Sequence, residues 1–218
     1  MVKNQSIKKN SLAPTILVSG GAGFIGSHLV EALLANGAKV LVADNFNTGK
    51  EIHVKHLLSN PNFALFNVDI NEGLPPEIES VDYVFHMAGL EDYMYSNNNP
   101  TLDALLTNSL GTKTLLDLVR RSEAKFVLIS TIDVYQGRMS QDELAKYFGL
   151  SKPEENKFSL IEAKRFAEAV VWEYFKKYDL DVRIVRLPEV YGPRMSLDSS
   201  GVMGVYIRTL IENRDIEV

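Results

Sequence analysis

The chain contains no cysteine. Disulfides, thiolate metal sites and a cysteine nucleophile are therefore excluded, and the absence fits a reducing cytosol. No apolar run reaches membrane-spanning length. The start, MVKNQSIKKNSLAP, is basic and polar but lacks the apolar stretch of a signal peptide. Positive charge is in short supply: 23 Lys and Arg against 28 Asp and Glu give a net charge of −5. That balance argues against a general nucleic-acid or anionic-membrane surface. Internal repeats are absent too, and the one low-complexity patch is Asn97-Asn98-Asn99 before Pro100.

What remains is an ordinary globular composition, 45% hydrophobic and 23% charged over 218 residues. That length suits one α/β domain, with residues 1–13 as a loose arm and 14–218 as the folded unit. Strand-like and helix-like stretches alternate. TILVSG (15–20), KVLVAD (39–44), FALFNVD (63–69), VDYVFHMA (81–88), KFVLIST (125–131) and DVRIVRL (181–187) read as strands. Helices are expected after the first strand, where Ile25, Leu29 and Leu33 recur at spacing four up to about Gly37, and at 51–59, 101–121, 159–178 and near 202–212. Apolar strands alternating with helices predict a doubly wound parallel sheet, Rossmann-like, covered on both faces.

The first strand runs into GGAGFIG (20–26) and then the first helix. Gly20 permits a tight turn, Gly23 lets backbone approach a pyrophosphate, and Gly26 lets helix and strand pack closely. The helix that follows offers free N–H groups and partial positive charge that suit phosphate. Asp44 ends the second strand. A carboxylate there accepts both ribose hydroxyls and repels a 2′-phosphate, which favours NAD over NADP. Asp69 and Ile70 end the third strand, where an adenine ring could be edged; a simple strand cap is the other reading of Asp69.

With that loop, DNFNTG (44–49), HMAG (86–89), ISTIDVYQ (129–136), the helix around Lys164 and VYGPRM (190–195) follow in order. This series resembles the extended short-chain dehydrogenase/reductase family, the NAD-dependent epimerases and dehydratases. Within it, DYMYSNNNP (92–100), TNSLGTKTLLDL (107–118) and YGPRM look most like the UDP-glucuronate decarboxylases. The resemblance implies a bound NAD that oxidises a nucleotide sugar, a UDP-sugar in the decarboxylases, and then returns the hydride. It places cofactor contacts at Gly20, Gly23, Phe24, Ile25, Gly26, Asp44, Asn45, Asp69, Ile70, Ala88 and Lys164. Thr131 falls on the family's hydroxyl-positioning Ser/Thr, and Asp133 stands where the decarboxylases carry a glutamate. With Lys164 these are the implied catalytic residues. The resemblance also implies a homodimer through the two long helices, and the stripe Ala163, Ala167, Val170 and Tyr174 offers an apolar face for it.

Three departures stand against this pattern. The family's proton-removing tyrosine lies four residues before the lysine, and here that residue is Leu160. Losing a positioned general base costs about 10²–10⁴-fold. Tyr147 lies on a separate segment from which it could fold over the site, and Glu162 points off the lysine's helical face. Second, Glu189 replaces the usual asparagine on the side that receives the sugar nucleotide; it either repels a diphosphate or turns to solvent. Third, the sequence given stops at DIEV (215–218), where the family begins its smaller substrate domain. Two readings follow: a nucleotide-sugar-modifying protein with altered chemistry, or a non-catalytic NAD-binding module that senses cofactor or pairs with an active relative.

The histidines add little. His53 and His56 are three apart with no third ligand nearby, so a solvated face is expected and no metal site. His86 ends a strand as either a satisfied core residue or a cofactor neighbour. Trp172, Tyr174, Phe175 and Tyr178 are read as core or dimer packing rather than base-stacking residues.

Overall fold

The computed structural model describes residues 13–89, 101–135, 156–197 and 201–215. Six strands form one sheet: β1 (Thr15–Ser19), β2 (Lys39–Asp44), β3 (Phe63–Asn67), β4 (Tyr83–His86), β5 (Lys125–Thr131) and β6 (Val182–Leu187). Their order is β3-β2-β1-β4-β5-β6 and every pairing is parallel. The expected doubly wound, Rossmann-like architecture is therefore present. The strand order reverses between β1 and β4, and such switch points open a crevice at the strands' carboxyl ends.

Period-two alternation divides the core into two layers. Leu17, Leu41, Val84, Phe126 and Leu128 face one side. They pack there on Leu115, Leu116 and Val119 of α3 (Thr112–Ser122) and on Ala167 and Val171 of α4 (Asn156–Tyr178). Ile16, Val18, Val40 and Val42 face the other side, against Val30 of α1 (Phe24–Ala35) and the buried Val54. The turn after α1 is closed by Gly37, whose φ of +82° glycine adopts without strain.

Several elements differ from the sequence reading. The segment expected as a helix at 51–59 is two 3₁₀ turns, Glu51–His53 and Lys55–Leu57. β3 stops at Asn67, so Asp69 and Ile70 lie in the turn beyond it. β4 is shorter than the apolar run that contains it. The helix expected over 101–121 is α2 (Thr101–Leu106), a π-helical turn over Thr107–Gly111, then α3. Inside it Asn108, Ser109 and Thr112 bond to the carbonyls of Ala104, Leu105 and Asn108, side-chain competition that loosens a helix. The stripe Ala163, Ala167, Val170 and Tyr174 does not offer a free face: the two alanines are buried, and Val170 and Tyr174 pack against the core. The exposed apolar residues of α4 are Phe166, Trp172 and Phe175. The last helix is α5 (Gly201–Ile211).

Candidate functional site

A cavity of about 460 Å³ lies at the carboxyl ends of the six strands. Every residue expected from the sequence to touch cofactor or take part in catalysis lines it: the glycine loop with Phe24 and Ile25, Asp44, Asn45, Asp69, Ile70, Ala88, Thr131, Asp133 and Lys164.

The glycine loop owes its shape to absent side chains. Gly20 has φ of +71°, and a Cβ there would stand 2.6 Å from the Ala88 backbone nitrogen. A Cβ on Gly26 would stand 2.2 Å from the Gly20 carbonyl oxygen. The loop is also held from outside. The Asp44 carboxylate accepts from Ala22 N–H at 2.8 Å and from Phe46 N–H at 2.9 Å. The Ala22 carbonyl accepts from Lys50 N–H at 3.0 Å and from His53 Nδ1 at 2.9 Å. His53 is thus no solvated-face residue; it braces the loop, as does the 3₁₀ turn that carries it. Its partner lies 31 residues away, so no spacing rule points to it.

Asp44 is buried, and burial pushes its carboxyl above the usual carboxylate range. The Phe46 and Ala22 donors and the nearby His53 pull it back only in part. Asn45 donates to Asp69 at 3.2 Å, and the other Asp69 oxygen accepts from Asn71 N–H at 2.9 Å. Asp69 is therefore both a turn residue and part of the cleft wall. The start of α1 has no side-chain cap and no acidic residue in its first turn, so its dipole is free for an anion. A glycine cradle, an uncapped helix end and an acceptor carboxylate together fit the pyrophosphate and ribose of a dinucleotide.

Across the cleft, Lys164 is buried and donates from Nζ to the Ile129 carbonyl at 3.0 Å. Thr131 Oγ1 lies 3.1 Å from Asp133 Oδ2 and accepts from Asp133 N–H at 3.2 Å. The turn holding Asp133 is clamped by Arg165, which donates twice to the Val134 carbonyl at 3.1 Å. Leu160 is buried at 6% exposure and does not line the cavity. Tyr147 lies outside the described residues. Glu162 pairs with Arg165 at 2.6 Å, away from the lysine.

Glu189 lines the cleft and accepts from Met203 N–H at 3.3 Å. The loop bearing it docks on α1, where His28 donates to the Pro193 carbonyl at 3.0 Å and Arg194 pairs with Glu31.

His86 is not a cavity residue. Thr112 Oγ1 donates to the Asn108 carbonyl, so it accepts from His86 Nε2 at 3.0 Å, leaving Nδ1 to accept from Ser19 Oγ at 2.9 Å. Burial, with Lys164's charge behind it, pulls this imidazole down to about 3. A histidine depressed in the fold contributes stability that is present above its unfolded value, about 6.5, and lost as pH falls toward 3. About 2 kcal/mol should be lost between pH 7.5 and pH 5. Urea unfolding at the two pH values checks this, and His86→Phe should flatten the difference.

Among the described residues no helix is long and apolar enough to cross a membrane. The sequence profile of the NAD dependent epimerase/dehydratase family matches residues 16–218. UDP-glucuronic acid decarboxylase 1 of Arabidopsis thaliana is 36% identical over 203 residues, which are 93% of this chain and 46% of that protein. UDP-glucuronic acid decarboxylase 1 of Xenopus tropicalis is 34% identical over the same share of this chain and 47% of its own length. The chain thus spans about half the length of these relatives. Among crystal structures, a UDP-glucuronic acid 4-epimerase mutant from Bacillus cereus, in complex with a UDP-sugar and NAD, superposes with a TM-score of 0.74 at 28% identity. That match covers 94% of this chain and 65% of the epimerase. A dTDP-glucose 4,6-dehydratase from Bacillus anthracis, in complex with NAD, gives 0.71 at 26% identity over 92% and 62% of the two chains.

Proposed function

We propose, from the premise that the chain belongs to the NAD-dependent epimerase/dehydratase family, that it holds NAD in this cleft without the proton transfer that nucleotide-sugar chemistry needs. One observation carries the reading: the cofactor-side residues all line the cleft, while Leu160, in the tyrosine's place, is buried off it. The glycine cradle and the start of α1 would take the pyrophosphate, Asp44 the adenosine ribose, and Lys164 the nicotinamide ribose. When bound, the nicotinamide would supply hydride exchange with a carbon alcohol. Leucine has no proton to trade, so the alcohol's hydroxyl would keep its own.

The second reading, a nucleotide-sugar-modifying enzyme, is favoured by Thr131, Asp133 and Lys164 standing together on the cleft wall. The proposal includes a homodimer, supported by exposed Leu102, Leu110, Phe166 and Trp172 on the two long helices. Calorimetry with NAD should give saturable binding, and light scattering of the same sample should give twice the chain mass. UDP-glucuronate added to the NAD-loaded protein should yield neither NADH absorbance nor carbon dioxide. Turnover would establish the second reading; absence of NAD binding would remove both.

A further inference from the structure

We propose that Glu189 is a specificity-determining residue that closes the substrate side of the cleft to diphosphate-linked compounds. The inference rests on the reading above only in leaving to substrate the part of the cleft that a dinucleotide does not fill.

Met203 is the third residue of α5, so its N–H is one of the donors that a helix start leaves without an internal partner. Such a helix end carries partial positive charge and is where a phosphate would be welcomed. Here Glu189 Oε1 occupies it at 3.3 Å, from a position on the cavity wall. The chain has supplied its own anion.

The surrounding charge does not offset this. Asp103, Asp133 and Glu189 line the cavity together with Asp44 and Asp69, and Lys164 is the one cation among the described lining residues. Lys164 already donates to Ile129. Glu189 itself has no ion-pair partner among the described residues. A diphosphate entering this side would have to displace the carboxylate from the helix end or lie beside it, and either course is unfavourable. A neutral hydroxylated compound meets no such barrier. The Pro193 and Arg194 contacts tie the loop that bears Glu189 to α1.

Glu189→Gln separates charge from shape, since the amide oxygen can still accept from Met203 N–H. The test titrates UDP and inorganic pyrophosphate into the NAD-loaded 218-residue protein by calorimetry, for the native chain, Glu189→Gln and Glu189→Ala. Glu189→Gln should bind UDP at least about tenfold tighter than the native chain, about 1.4 kcal/mol. Raising the salt concentration should shrink that gain. Glu189→Ala should show a similar gain, which guards against an effect peculiar to glutamine. Equal UDP affinities for all three proteins, including none measurable in any, would overturn the proposal. Parallel NAD titrations should be indistinguishable among the three. Loss of NAD binding in the native chain would count against the cofactor reading and is seen separately from the UDP result.

Discussion

Replacing Asp44 with alanine is expected to weaken NAD binding by about 30–100-fold and leave NADP binding nearly unchanged. A hydrogen bond to a charged group is worth about 1.5–3 kcal/mol, and a tenfold change in affinity is about 1.4 kcal/mol. Loss of the bonds to a ribose diol therefore falls in that range. The 2′-phosphate of NADP gains nothing from the carboxylate and is repelled by it, so its binding should not suffer. Asp44 is also expensive for the fold. A carboxyl raised by burial contributes stability below its unfolded pKa and loses it as pH rises through the folded value, so the ionised form is a cost at neutral pH. Bracing the loop through Ala22 and Phe46 offsets part of that cost, and a bound ribose would offset more. Fluorescence or calorimetric titration with both cofactors decides the matter. Unchanged affinities for both would remove Asp44 from the ribose site.

The second large effect needs two substitutions. Leu160→Tyr together with Glu189→Gln should raise reduction of bound NAD by UDP-glucuronate at least about 100-fold over the native chain, the lower end of what a general base contributes. Either change alone should fall well short. Without the tyrosine the hydroxyl keeps its proton, and with Glu189 in place the diphosphate stays out. The absorbance of NADH over the four proteins forms a double-mutant cycle whose coupling term reads this dependence directly. A single Leu160→Tyr variant as fast as the double would mean that Glu189 is no barrier. A double variant at the native rate would mean that the lost chemistry reaches beyond these two positions.

The layout of strands was legible because most are apolar runs bounded by glycine, proline or acid, as strands of a parallel sheet covered on both faces read; β6, VRIVRL, lies at the sheet edge and alternates with arginine. Asp44 was legible for the same reason as Gly20: both sit at fixed places relative to the first two strands, and local spacing carries them into the cleft. Long-range partners were not legible. His53 reaches Ala22 only because two 3₁₀ turns replace the expected helix. Glu189 and Met203 are 14 residues apart, and no spacing rule joins a loop carboxylate to a helix that starts beyond it. Nor did any glycine announce the end of α3, where Glu123 itself takes a positive φ of 51°. His86 was left between core and cofactor because its partners, Ser19 and Thr112, come from elements on either side of it in the chain. The apolar stripe on α4 was misread as a partner face because periodicity reports an apolar side without saying whether core or a second chain will cover it.

The π turn between α2 and α3 bears on which length changes the chain could survive in descent. Asp103 ahead of it and Thr107 at its first position line the cleft; behind it, Thr112 supports His86. Within it, Gly111 fits against Ile70, where a Cβ would stand 2.7 Å from that side chain. Removing one residue from Thr107–Gly111 would give back a regular helix, itself no loss. A π turn absorbs one extra residue in a single widened turn, so the flanking residues would keep their faces and only the widened turn itself would close. What such a deletion would take away is the widened turn that sets Thr107 on the cleft wall and Gly111 against Ile70, so length variation here would leave a helix standing and alter the lining it presents to a ligand.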